Sequence, residues 1–138
     1  MTENQFNRHF LTLAELIRLR KELPALRSDQ IYPLWGDSDR GRQDDGIIAF
    51  ARGGNGTAAV VVVVNASPHP ATTSTYEHAM RLIDSQGQPL LSPGEQLVPV
   101  ELQHQESTAT VTLSWGSGPE AKIQVGGESI HFFQVVHP

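Results

Sequence analysis

The chain has 138 residues, no cysteine, a formal charge of −5 and a pI near 5.6. A domain of this length buries roughly two-thirds of its unfolded surface, and the missing cysteines exclude a disulfide framework, a thiol nucleophile and a thiolate metal site. Lysine and arginine concentrate in the first 52 positions, but nothing resembles a basic stripe with interleaved aromatics, which argues against a nucleic-acid partner. No run reaches the eighteen or so apolar residues of a membrane span. The opening Met1-Thr-Glu-Asn-Gln-Phe-Asn-Arg-His9 lacks the apolar centre of a signal peptide, so the default compartment is cytoplasmic.

Residues 11–27 read as one amphipathic helix. Thr12 and Glu15 have capping-box spacing, each side chain able to bond the other's backbone amide. Pro24 lacks a donor and disfavours helix at Leu23, so the helix ends or kinks there. At about 100° per residue, Leu13, Leu16, Ile17, Leu19, Leu23 and Leu26 occupy one half of the circumference, with Glu15, Arg18, Lys21 and Glu22 on the other. Arg20 projects into the apolar half between Leu16 and Leu13. Two readings stand: its stem lies on apolar surface with the head in water, or its guanidinium is desolvated and paired to a carboxylate, for instance on a neighbouring domain.

From Ile31 onward the signals are strand and turn. Ile31 to Trp35 is a short apolar strand, followed by a polar loop from Asp37 to Gly46. Gly46 to Arg52 is a strand and Gly53-Gly-Asn-Gly56 a turn. Ala58 to Ala66 holds five consecutive valines, Val60 to Val64, and fits a central strand buried on both faces. Thr72 to Tyr76 and Met80 to Ile83 suggest two more strands, the second turning over at Asp84-Ser-Gln-Gly87; Leu97 to Leu102 follows the Pro93-Gly94 turn. Thr108 to Trp115 alternates cleanly, with Ala109, Val111, Leu113 and Trp115 on one face and threonines and Ser114 on the other. Lys122 to Val125 and Ser129 to Val136 read as a closing hairpin across Gly126-Gly127, a type I′ candidate. The expected fold is mainly β: an antiparallel, Greek-key type sandwich of about eight strands preceded by one N-terminal helix.

Catalytic patterns are sparse. His69, His78, His104, His131 and His137 are scattered over separate elements, without metal-pair spacing. There is no nucleophile elbow and no phosphate-cradling glycine loop. Asp37 and Asp39 are weak calcium candidates; without full ligand spacing or a late bidentate glutamate, a solvated acidic loop is the preferred reading and no metal or cofactor is expected. Asn55-Gly-Thr57 and Asn65-Ala-Ser67 match the glycosylation pattern and read here as turn residues. On its own residues the chain is not expected to be an enzyme.

Three ordered blocks carry a resemblance. Leu16-Ile-Arg-Leu-Arg-Lys-Glu-Leu-Pro-Ala-Leu-Arg27, Gly46-Ile-Ile-Ala-Phe-Ala-Arg52 and Val60-Val-Val-Val-Val-Asn-Ala-Ser67 resemble the C-terminal end of α-amylase superfamily enzymes, glycoside hydrolase family 13. Leu82-Ile-Asp84 through Gly87-Gln-Pro-Leu90 is similar to a later hairpin of the same domain; from Leu97 onward the likeness is architectural, and Glu128 to Val136 departs from the family's proline-led closing strand. The resemblance implies that residues 1–29 are the last helix of a (β/α)₈ barrel and residues 30–138 the β-sandwich that follows it. It also implies that the family's catalytic carboxylates lie on barrel strands that would precede Met1, so no residue here inherits a catalytic role.

The function this implies is a non-catalytic accessory domain of an α-glucan-active glycosidase, with the catalytic barrel as its partner and Leu13, Leu16, Ile17, Leu19, Arg20 and Leu23 at the joint. Two alternatives are a carbohydrate-binding module that stacks glucan on Tyr32, Trp35, Tyr76 and Trp115, and an interaction module that forms homodimers through the helix. For Tyr32, Trp35 and Trp115 the strand pattern favours core packing over sugar stacking.

Overall fold

The computed structural model describes residues 14, 16–27, 31–35, 46–54, 57–74, 79–84, 86–100 and 109–137. Residues 16–22 are α-helical, and a 3-10 turn, Pro24–Arg27, follows at once. The Leu23 N–H donates to the Leu19 carbonyl at 2.8 Å, and Pro24, with no N–H to give, closes the helix as its sequence requires. Leu13 and the Thr12–Glu15 capping box lie outside the described residues.

Nine strands follow among the described residues: β1 (Ile31–Trp35), β2 (Ile47–Gly54), β3 (Thr57–Asn65), β4 (Ala71–Thr72), β5 (Met80–Arg81), β6 (Gln96–Val100), β7 (Ala109–Ser114), β8 (Glu120–Val125) and β9 (Ser129–Val136). They form two antiparallel sheets. One has the order β1-β2-β3-β9-β6; in the other, β8 pairs with β7 on one side and with β4 and β5 on the other. The mainly-β sandwich with a short N-terminal helix is therefore the observed architecture.

The valine run sits at the centre of the larger sheet, paired along its length with β2 and β9. Its alternation splits it between two cores, because successive side chains point to opposite faces. Val61 and Val63 join Leu34, Trp35, Ile47, Met80, Leu82, Ile123, Val125 and Phe133 between the sheets. Val60 and Val62 pack outward with Phe132 against Leu19, Ala25 and Leu26 of the helical segment. A strand apolar on both faces is thus explained by a sheet on one side and a helix on the other.

The short strands β4 and β5 lie along one side of β8, with Thr73 joining them to it. Its N–H donates to the Ile123 carbonyl at 2.9 Å, and its Oγ1 accepts from the Ile123 N–H at 2.9 Å, so one residue continues the ladder with backbone and side chain together. Of the strand expected from Thr72 to Tyr76, the described residues form β4, Ala71–Thr72, and a bridge between Ser74 and Ala79, while Thr75 and Tyr76 lie outside the described residues. At the Asp84 turn, Oδ1 accepts the amides of Gln86 at 2.8 Å and Gln88 at 2.9 Å, an Asx turn that the Asp-Ser-Gln-Gly signal anticipates.

The closing hairpin is corrected. β8 and β9 belong to different sheets, β8 pairing with β7 and β9 with β3 and β6, so Gly126-Gly127 is a crossover between layers. The reason is steric. A Cβ on Gly127 would be built onto the Pro68 carbonyl and 2.9 Å from the His69 nitrogen, so glycine here admits a neighbouring backbone. Trp115 is also corrected: strand β7 ends at Ser114, and Trp115 lies beyond it at 36% exposure, outside the core its alternation suggested.

Candidate functional site: the helix-covered sheet face and the crossover lock

The helix meets the sheet along one ridge. Leu19 is 1% exposed, Leu26 is buried, and Leu16 and Leu23 pack partly buried against the same cluster. At about 100° per residue Leu16, Leu19 and Leu23 fall in one narrow arc, which is as much of a helix as a flat sheet can touch, and Leu26 reaches the same cluster from the 3-10 turn. Ile17 and Arg20 fall to one side of that arc: Ile17 is 52% exposed and Arg20 is exposed. The receiving surface is built by alternation in four strands, with Phe50, Val64, Val100 and Ile130 around Val60, Val62 and Phe132.

The sequence-selected aromatics do not converge. Tyr32 and Trp35 are buried in the core between the sheets, Trp115 is at the surface, and Tyr76 lies outside the described residues. Asp37 and Asp39 also lie outside them. Among the described residues no group of three His, Asp or Glu side chains is placed to hold a metal ion, and no helix is long and apolar enough to cross a membrane.

What the structure does bring together is a set of polar groups around Asn65, the last residue of the valine strand. Its side chain is 1% exposed, and its Nδ2 donates to the His69 carbonyl at 2.8 Å and to the Gly126 carbonyl at 3.0 Å. Its Oδ1 accepts the Ser67 N–H at 3.0 Å. Two backbone bonds close the same junction: Glu128 N–H to the Ser67 carbonyl at 2.8 Å, and Ala66 N–H to the Gly46 carbonyl at 3.0 Å. Ser129 Oγ donates to the Gly126 carbonyl at 2.6 Å. Asn65 thereby ties the β3–β4 crossover to the β8–β9 crossover, and an amide is the side chain that can donate twice and accept once at that point. Buried and bonded in this way, Asn65 is closed to glycosylation in the folded chain. A lone polar residue ending an apolar strand, just before Ser-Pro-His-Pro, was the available signal for it.

His131 is the other buried polar group that matters. It lies opposite Val63 on the inner face of β9, its ring centroid 6.3 Å from that of Phe133. Burial holds its imidazole below the ordinary value of 6.5, because the charged form loses its hydration there. The folded state therefore favours neutral His131. The stability associated with it is fully present above pH 6.5 and is lost as the pH falls from there through the lowered folded value. Urea midpoints measured at about pH 7.5 and about pH 5 should show wild type losing more stability than His131→Gln, by about 1.4 kcal/mol for each unit of displacement. Parallel pH profiles for the two proteins would exclude this role.

Comparison with known proteins returned no match: no family model, no curated protein and no solved structure aligns with the chain. The geometry alone describes a sheet face covered by the helical segment and a polar lock between two crossovers. Among the described residues it gathers no acid–base or nucleophilic constellation.

Proposed function

We propose that the chain is the non-catalytic accessory sandwich of an α-amylase-type glycosidase that acts on α-glucans, and that it stabilises the catalytic barrel, with the helix as the joint. One observation carries this reading: the segment that resembles the last barrel helix lies on the outer face of the larger sheet, held by Leu19, Ala25 and Leu26 against Val60, Val62 and Phe132. A helix gripped on one side by the sandwich can present its other side to a barrel. Exposed Ile17 and Arg20 are the residues in position to do so. Arg20 would then meet a barrel carboxylate, which suits a planar guanidinium better than an ammonium.

The test is the native product. An antibody raised against this domain should detect a protein larger than 15.1 kDa by at least a barrel of about 250 residues. A native product of 15.1 kDa would remove the barrel from the proposal.

A second reading, a carbohydrate-binding module, draws on the exposure of Trp115. An accessory role predicts unchanged migration in a native gel containing starch or glycogen. Retardation that Trp115→Ala abolishes would favour the module, since packing a sugar ring's C–H face on a side chain needs an exposed aromatic ring.

A further inference from the structure

The edges of the two sheets are guarded unequally. β1 carries Pro33 and a register shift between Pro33 and Trp35. β6 carries Pro99. β4 and β5 are two residues each, and Ser74 and Ala79 form a bridge between them. Proline, irregular register and shortness all prevent an edge from recruiting a further strand.

β7 has none of these. Its six residues, Ala-Thr-Val-Thr-Leu-Ser, include neither proline nor charge, and it runs in unbroken register with β8 from Ala109↔Val125 to Ser114↔Glu120. Among the described residues its other side pairs with no strand. Ala109, Val111 and Leu113 are only partly buried where they pack against the inter-sheet core, and Thr110, Thr112 and Ser114 are exposed.

We propose that β7 is a self-association edge, at which a second copy of this chain pairs antiparallel with it, β7 to β7. The strand is self-complementary, which supports that occupant. A two-fold pair must set residues of the same face opposite one another, and a pair centred on Thr112 does so throughout. Thr112 faces Thr112 of the second copy, Val111 faces Leu113, Thr110 faces Ser114, and Ala109 faces Trp115. Every pair is uncharged, and apolar meets apolar on the half-buried side. Trp115, at 36% exposure, gains cover at each end of the paired strands. Six residues of edge make a contact well below the roughly 1,200 Å² of a stable interface, so the dimer is reversible and concentration-dependent.

Sedimentation velocity from micromolar to near-millimolar protein tests this. Wild type should move from monomer to dimer across that range. Thr112→Lys and Thr112→Glu, each placing like charges opposite one another on the axis, should each raise the dissociation constant at least tenfold while melting with wild type. An equimolar mixture of the two variants should associate again, because the axis then pairs opposite charges. Wild type that stays monomeric overturns the proposal. So does association that either variant leaves unchanged, or a mixture that fails to recover it.

Discussion

Leu19→Asp should strip the helix from the sheet while leaving the sandwich standing. Leu19 is the most deeply buried residue of the helical segment, at 1% exposure, and its cluster is separate from the one between the sheets. Truncation of such a leucine to alanine costs about 2–5 kcal/mol; a carboxylate buried in an apolar cluster costs more, because it also loses its hydration. The helix is short, and isolated helices of fewer than about 12–15 residues are marginal in water, so detachment also unfolds it. The exposed surface would then be Phe50, Val60, Val62, Val64, Val100, Ile130 and Phe132 together. A contiguous apolar patch of that kind drives association. The expected outcome is strong binding of a hydrophobic dye and aggregation that rises with concentration, with the strand signal in far-ultraviolet circular dichroism retained. A variant that melts with wild type and binds no dye would show that the helix does not cover the sheet in solution. Loss of the strand signal as well would show that the two cores are one cooperative unit.

This division into two cores also marks how far the sequence can be read. The alternation of residues 109–114 and the two-sided burial of Val60 to Val64 were legible, since a period of two and an unbroken β-branched run each have a direct structural meaning. The helix end at Pro24 was legible for the same local reason. What covers each face of the valine strand was not, because burial on a strand's outer face looks the same under a helix as under a second sheet. Gly126-Gly127 misled for a related reason: paired glycines signal either a tight turn or a close backbone approach. Only the tertiary partner, here Pro68, distinguishes them. Trp115 stands one residue past the strand's end, where the alternation that points it to the core no longer applies. The residues proposed for the joint split along one physical line, Leu16, Leu19 and Leu23 packing on the sheet while Ile17 and Arg20 remain outside. The half-circumference rule is too coarse to separate those that touch a flat surface from those beside them.

Asn65→Asp should be the most damaging isosteric change in the chain, and its pH dependence should identify the cause. The asparagine amide gives two hydrogen bonds to carbonyls and receives one from an amide. At roughly 1 kcal/mol each, these are worth about 3 kcal/mol, a large part of the 5–15 kcal/mol that holds a domain folded. Asn65→Ala should therefore lower stability by about 3 kcal/mol, with no electrostatic component. The aspartate variant adds one. Its carboxylate can no longer donate, and it would face the His69 and Gly126 carbonyl oxygens while buried, so the charged form is disfavoured and the folded pKa lies above the unfolded value of about 3.9. The added destabilisation is then fully present at neutral pH, fades as the pH falls through the raised folded value, and is gone below the unfolded one. Measured against wild type at each pH, which removes the opposing trend from His131, Asn65→Asp should recover on acidification and Asn65→Ala should not. Asn65→Ala, which removes the acceptor as well as the donors, should also loosen the two crossovers together, so amide exchange should accelerate at Ser67 and at Glu128, whose N–H donates to the Ser67 carbonyl. Acceleration at only one of these amides, or an aspartate variant as stable as wild type at neutral pH, would mean that Asn65 does not lock the two layers to each other.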